Sequence, residues 1–152
     1  MRVILPQKQI DKFKKVCKAA FPNERYALLL GRNGENVHIV TDIFIPEEQE
    51  PYSTNIEIVP QSAWFYDAQK LAEEKDVIIL GDIHSHCIDR KGNKDVDSSP
   101  SEADWDGGGW LCSISSLKNP VFGILSVYET KVGHRTRLRL WPKIEKIAVR
   151  LK

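Results

Sequence analysis

The chain has 152 residues, 41% of them hydrophobic and 28% charged, with 22 basic against 21 acidic side chains and a net charge of +1. That is enough apolar material for one domain with its own core, and the balanced charge gives no reason to expect nucleic acid or an anionic membrane as the main partner. No apolar run reaches the length of a membrane span, and the amino-terminal MRVILPQKQIDKFKK has too short an apolar core for a secretory signal, so a cytoplasmic protein is expected.

In chain order, residues 1–5 are apolar enough for a short strand or a docked terminus. Pro6 suits the first position of a helix, and Ile10, Phe13, Val16, Cys17 and Ala20 recur at helical spacing opposite a lysine-rich face. Pro22 and Asn23 stop that helix. Residues 24–30 form the first strong strand, closed by Gly31. Asn33-Gly34 is a hairpin signal, so residues 36–45 are expected to return antiparallel. The acidic, proline-bracketed stretch 46–61 reads as a loop with one edge strand over 56–59. Ser62 is placed as the cap of a helix to residue 75, with Trp64, Phe65, Ala68, Leu71 and Ala72 on its apolar stripe.

Residues 77–84 read as a buried, β-branched strand in which Gly81 and Asp82 begin to break the apolar run. A polar loop over 87–100 follows, with Asp89, Asp95 and Asp97, like Asp82, expected to be solvated. Pro100 and Ser101 precede acidic residues that favour a helix start over 101–105, and glycines 107–109 end it. Strands are expected over 110–115, 121–128 and 135–141, the last two joined by a turn at residues 131–134. The basic tail from Pro142 is helical or extended. The mixture predicts an α+β fold in a single domain, residues 1–152.

The chemistry concentrates in Gly81-Asp82-Ile83-His84-Ser85-His86. In a strand, residues i and i+2 share a face, so His84 and His86 aim at one spot and Ser85 turns away. Two neutral imidazoles on one face begin a metal site. Asp104, in Ser101-Glu102-Ala103-Asp104, is a candidate third ligand. A paired histidine on a strand is often only structural, and a lone Glu24 is usually a surface carboxylate. The three features in order along the chain weigh toward metal.

This pattern, H-S-H, then S-x-x-D, with Glu24 upstream before the apolar run ending at Gly31, resembles the JAMM motif of the MPN-domain (JAB1/MPN/Mov34) zinc metalloproteases, in a prokaryotic or phage-like branch. The resemblance spans most of the chain. It implies a curved mixed sheet sandwiched between helices (cytidine deaminase-like), with Zn2+ held by His84, His86 and Asp104. It also implies that Glu24 is the general base and Ser101 the oxyanion donor of a peptidase or isopeptidase. The implied partner is a protein substrate, such as a ubiquitin-like or sulfur-carrier protein or its conjugate. The fourteen residues between His86 and Ser101 exceed the usual family gap, Cys87 stands where a proline commonly follows, and glycines 107–109 fall where many relatives continue a helix. Two rivals stay open: a non-catalytic MPN scaffold, and a cupin-like metal barrel that also uses H-x-H.

Three cysteines, Cys17, Cys87 and Cys112, have no C-x-x-C spacing and read as reduced thiols rather than a disulfide framework. Cys87 admits three roles: nucleophile, fourth zinc ligand, or bystander on the far face of the strand. Strand alternation favours the bystander. Arg135, Arg137 and Arg139 alternate on one strand face, a solvated face or a contact for an acidic partner.

Overall fold

Alternation of apolar residues along five longer segments builds a mixed sheet whose two faces are covered by different helices. The structure, a computed structural model, describes residues 2–88, 120–142 and 150–151. In chain order these form β1 (Arg2–Ile4), α1 (Gln7–Ala20), β2 (Tyr26–Gly34), β3 (Val37–Phe44), a 3-10 turn (Glu50–Tyr52), α2 (Ser62–Glu74), β4 (Ile78–Ile88), β5 (Val121–Thr130), β6 (Gly133–Pro142) and β7 (Arg150–Leu151). The sheet order is β6-β5-β4-β2-β3-β1-β7. β2 is antiparallel to β3 and β4, β4 is parallel to β5, and β5 is antiparallel to β6. The terminal strands β6 and β7 approach each other, so the sheet curls.

Helix α1 buries Ile10, Phe13 and Cys17 against Leu29, Leu80, Ile83, Leu125 and Val127 on one face. Helix α2 buries Trp64, Ala68 and Ala72 against Tyr26, Leu28, Leu30 and Ile79 on the other. Burying a side chain of this size is worth about 1.5–3 kcal/mol, which is why the apolar stripes outweigh the lysines of α1 in fixing its orientation. No helix among the described residues is long and apolar enough to cross a membrane.

Several expectations shift. Pro6 is the N-cap of α1, in extended conformation, and Gln7 is the first helical residue. The β2–β3 hairpin turns at Glu35-Asn36, two residues beyond Asn33-Gly34, with Asn36 in the left-handed region at φ 56. Asparagine tolerates that conformation almost as glycine does. Ser62 does not cap α2: Gln61 holds the cap position, with no side-chain hydrogen bond. The proposed edge strand at 56–59 reduces to one bridge, Ser53 with Ile58.

The largest shift is in β4. Gly81 does not interrupt it, and the strand runs to Ile88, carrying His84, His86 and Cys87 within it. Gly81 is there because of a close approach. A Cβ at that position would run into the carbonyl of Val121 on the neighbouring strand. The β2–β4 register slips between Leu29 and Leu30, skipping Leu80. This bulge lets Leu80 and Ile83 both reach the α1 core while Asp82, His84 and His86 face the α2 side. The expected helix start at 101–105, the strand at 110–115, Cys112, Ser101, Asp104 and most of the 87–100 loop lie outside the described residues.

Candidate metal centre

Strand β4 supplies two of the site's side chains and the lead-in to β2 supplies the third. Tyr26 is the register partner of His84, so Glu24, two residues before Tyr26, falls beside the level of His86. Glu24, His84 and His86 are all buried, with 4%, 8% and 4% of their surface exposed. The Nε2 atoms of His84 and His86 stand 3.0 Å apart, with their rings tilted by 60°. One carboxylate oxygen of Glu24 and one nitrogen from each imidazole all lie within 4.8 Å of one another.

Three side chains that alternation alone would not bring together are held there by main-chain anchoring. The amide of Arg25 donates to Ser85 Oγ at 2.8 Å, and the amide of Ser85 donates back to the Arg25 carbonyl at 2.9 Å. The Glu24 amide donates to the Thr54 carbonyl at 2.9 Å, and the Glu24 carbonyl accepts from Ser53 Oγ at 2.6 Å. Gln49 acts as a surrogate strand. Its Oε1 accepts from the Tyr26 amide at 2.7 Å, while its Nε2 donates to the Tyr26 and Pro46 carbonyls at 2.9 and 2.8 Å. Arg25 ties the same segment down through Glu50, at 2.6 Å. The stretch 46–54 is therefore a clamp on the Glu24 backbone. Sequence reading took it for a plain loop, and nothing in the spacing of Gln49, Ser53 or Ser85 signals otherwise.

Asp82 corrects the sequence reading. It is buried in β4, and Tyr26 Oη donates to its Oδ2 at 2.9 Å. Burial and the neighbouring carboxylate push the Tyr26 phenol well above its ordinary pKa, so it stays protonated and keeps donating. Tyr26 also sits 5.7 Å from the ring of Trp64, which meets Tyr52 edge-on at 5.6 Å. These ring contacts pack Tyr26 against α2.

Cys87 lies on the other face. Its register partner is Val127, which packs in the α1-side core, and its sulfur lies 3.6 Å from the Asn23 carbonyl. Burial, reinforced by the charge of Glu24, pushes its thiol up to about 12. Cys17 is pushed up by burial as well.

The donor set fits zinc, which takes imidazole and carboxylate ligands in a tetrahedral shell. Bonds of roughly 2.0–2.1 Å in such a shell put ligand atoms about 3.3 Å apart, close to the 3.0 Å between the two imidazole nitrogens. Glu24 can serve either as a ligand or as a carboxylate poised beside one. Ser101 and Asp104, the expected oxyanion donor and third ligand, are not among the described residues.

No protein-family model and no curated protein matches the chain. Solved structures, more than a hundred chains among them, do match in shape. The solution structure of a protein from Desulfitobacterium hafniense superposes with a TM-score of 0.67 at 17% identity, over 99% of this chain and 91% of that one. The crystal structure of a JAB1/MPN domain protein from Archaeoglobus fulgidus superposes with a TM-score of 0.51 at 14% identity, over 100% of this chain and 97% of that one. At these identities the likeness concerns the fold: an MPN-like α+β arrangement, with a helix on each face of a curled mixed sheet. The cupin alternative, a β-barrel, is not the architecture found.

Proposed function

We propose that the protein is a zinc-dependent peptidase or isopeptidase of the JAMM type, acting on the carboxyl-terminal region of a ubiquitin-like or sulfur-carrier protein or on its conjugate. The observation that carries this reading is the buried convergence of Glu24, His84 and His86 on an MPN-like fold. A metal ion held between them would offset the cost of burying two imidazoles and a carboxylate at such short range.

In this reading His84, His86 and Asp104 hold the metal. Zinc bound there would bring the pKa of a water down to about 7 and polarise the scissile carbonyl. Glu24 takes the proton of the attacking water and returns it to the leaving amine. The bonds from Ser53 and Thr54 to Glu24, and from Gln49 to Tyr26 two residues on, keep the backbone around Glu24 fixed through both transfers, so the carboxylate does not have to be ordered again between them. Ser101 donates a hydrogen bond to the oxyanion as the carbonyl becomes tetrahedral.

The test is elemental analysis of protein purified without added metal, paired with turnover of a fluorogenic ubiquitin-like conjugate. The expected result is one zinc per chain, activity abolished by a chelator, and activity restored by zinc alone. Protein that is free of zinc and does not take it up would overturn the assignment.

A further inference from the structure

Strand β6 carries Arg135, Arg137 and Arg139 in alternation, and the register shows which face they share. Ile124 pairs with both His84 and Arg139, Ser126 with both His86 and Arg137, and Tyr128 with both Ile88 and Arg135. Directly paired residues lie on one face of a sheet, so the three arginines stand on the face of the two histidines. Ring contacts agree. The Arg135 guanidinium lies 5.9 Å from the centre of the Tyr128 ring, and that of Arg139 lies 5.0 Å from the Trp141 ring. Trp141 itself packs with Phe122 and Ile124 on that face. With strands about 4.8 Å apart, the arginine row runs roughly 10 Å from the histidine row.

Charged edge strands often serve only to prevent sheet-to-sheet aggregation. Two observations separate this ladder from that role. None of the three arginines makes an ion pair with a described residue, although Arg135 and Arg137 are exposed and Arg139 is half-buried. Between Arg137 and His86 lies Ser126, fully buried, whose hydroxyl has no hydrogen-bond partner among the described residues. A row of polar groups therefore leads from the edge toward the histidines.

We propose that the arginine ladder is a docking surface for an acidic, extended peptide segment of the substrate, a role that rests on the peptidase reading. Alternate side chains of an extended chain recur every ~6.8 Å, the same repeat as the arginines. Beyond β5 no strand is hydrogen-bonded to β6 among the described residues, and the two-residue β7 comes close to only part of it, so a segment pairing along the remainder would set carboxylates opposite the guanidiniums at about 4.5–5.5 Å between Cβ atoms. A peptide is favoured over nucleic acid because the chain as a whole carries a net charge of only +1, which supplies little long-range attraction for a polyanion.

The test measures fluorescence anisotropy of a dye-labelled peptide of alternating Glu and Thr bound to the full chain. A matched Gln-Thr peptide and a single-stranded oligonucleotide of equal charge serve as comparison probes. The acidic peptide is expected to bind best, with affinity falling as salt rises. The triple variant R135Q/R137Q/R139Q is expected to weaken that binding by about tenfold, as loss of three solvent-accessible charge pairs does, while keeping its zinc and its circular dichroism. The variant H84A/H86A is expected to bind the peptide as wild type does, which separates this surface from the metal reading. Equal binding of the Gln-Thr peptide, an unchanged affinity in the triple variant, or tighter binding of the oligonucleotide would each overturn the proposal.

Discussion

The two faces of β4 use the same alternation for opposite ends. On the α1 side, Ile83, Ser85 and Cys87 face a helix and a core, and each polar group is engaged with the scaffold: Ser85 Oγ with the Arg25 amide, and the Cys87 sulfur against the Asn23 carbonyl. On the α2 side, Asp82, His84 and His86 are equally buried, yet the imidazoles converge on one another and on Glu24. Burial alone therefore does not mark the functional face. The mark is the direction of the polar atoms, toward the backbone on one side and toward a common point on the other. A polar atom satisfied by backbone stabilises the fold, whereas a cluster of titratable groups aimed at a common point implies a ligand.

The sharpest way to break this comparison is to empty the convergent face. H84A/H86A should lose essentially all zinc and all hydrolysis, while α1 and α2 stay docked because neither histidine belongs to an apolar cluster. Metal content by elemental analysis and helicity by circular dichroism read the two halves of the statement. A full equivalent of zinc in the double variant would put the metal elsewhere.

Glu24→Gln comes next in size. Gln keeps the shape and cannot take a proton, so turnover should fall by about 10²–10⁴ with zinc retained. The clamp holds Glu24 through its main-chain amide and carbonyl, not its side chain, so it survives the change. Zinc lost together with activity would make Glu24 a ligand rather than the base, an outcome that its place within 4.8 Å of both imidazoles makes worth separating.

Much of this was legible in the sequence, for physical reasons. The helical stripe of Ile10, Phe13 and Cys17 and the two-residue period of His84 and His86 are local patterns, and both appear where the spacing puts them. The side-by-side placement of the Glu24 and histidine strands was legible only through the family resemblance, because strand pairing is a non-local fact. What spacing could not reveal was the bulge at Leu80 and the reach of β4 past His84 to Ile88. A glycine reads as a break unless one knows that the Val121 backbone passes against it. Asp82 was misread for the same reason. Its neighbours along the chain suggest a solvated loop, and the hydrogen bond from Tyr26, 56 positions away, is not visible from them. The clamp by Gln49 is of this kind too, since a side chain that imitates backbone pairing leaves no periodic trace.

The smallest effect expected is that of Cys87→Ser, and it bears on the scaffold face. Had the chain turned at His86, the thiol could have swung toward the histidines and closed the site. The strand instead continues through Ile88, so alternation carries the sulfur to the α1 side beside the Asn23 carbonyl. Burial pushes that thiol up to about 12, so near neutral pH it is protonated and neither a nucleophile nor a ready zinc ligand. A serine hydroxyl can donate to the same Asn23 carbonyl, which limits the stability cost to about 1 kcal/mol. Zinc content and turnover should both stay close to wild type, and alkylation of Cys87 in the native protein should be slow until denaturant is added. The comparison of faces breaks if Cys87→Ser raises turnover several-fold with zinc still bound. That outcome would require the sulfur to reach across the strand to the convergent face, and the alternation that organises β4 would then not govern its functional end.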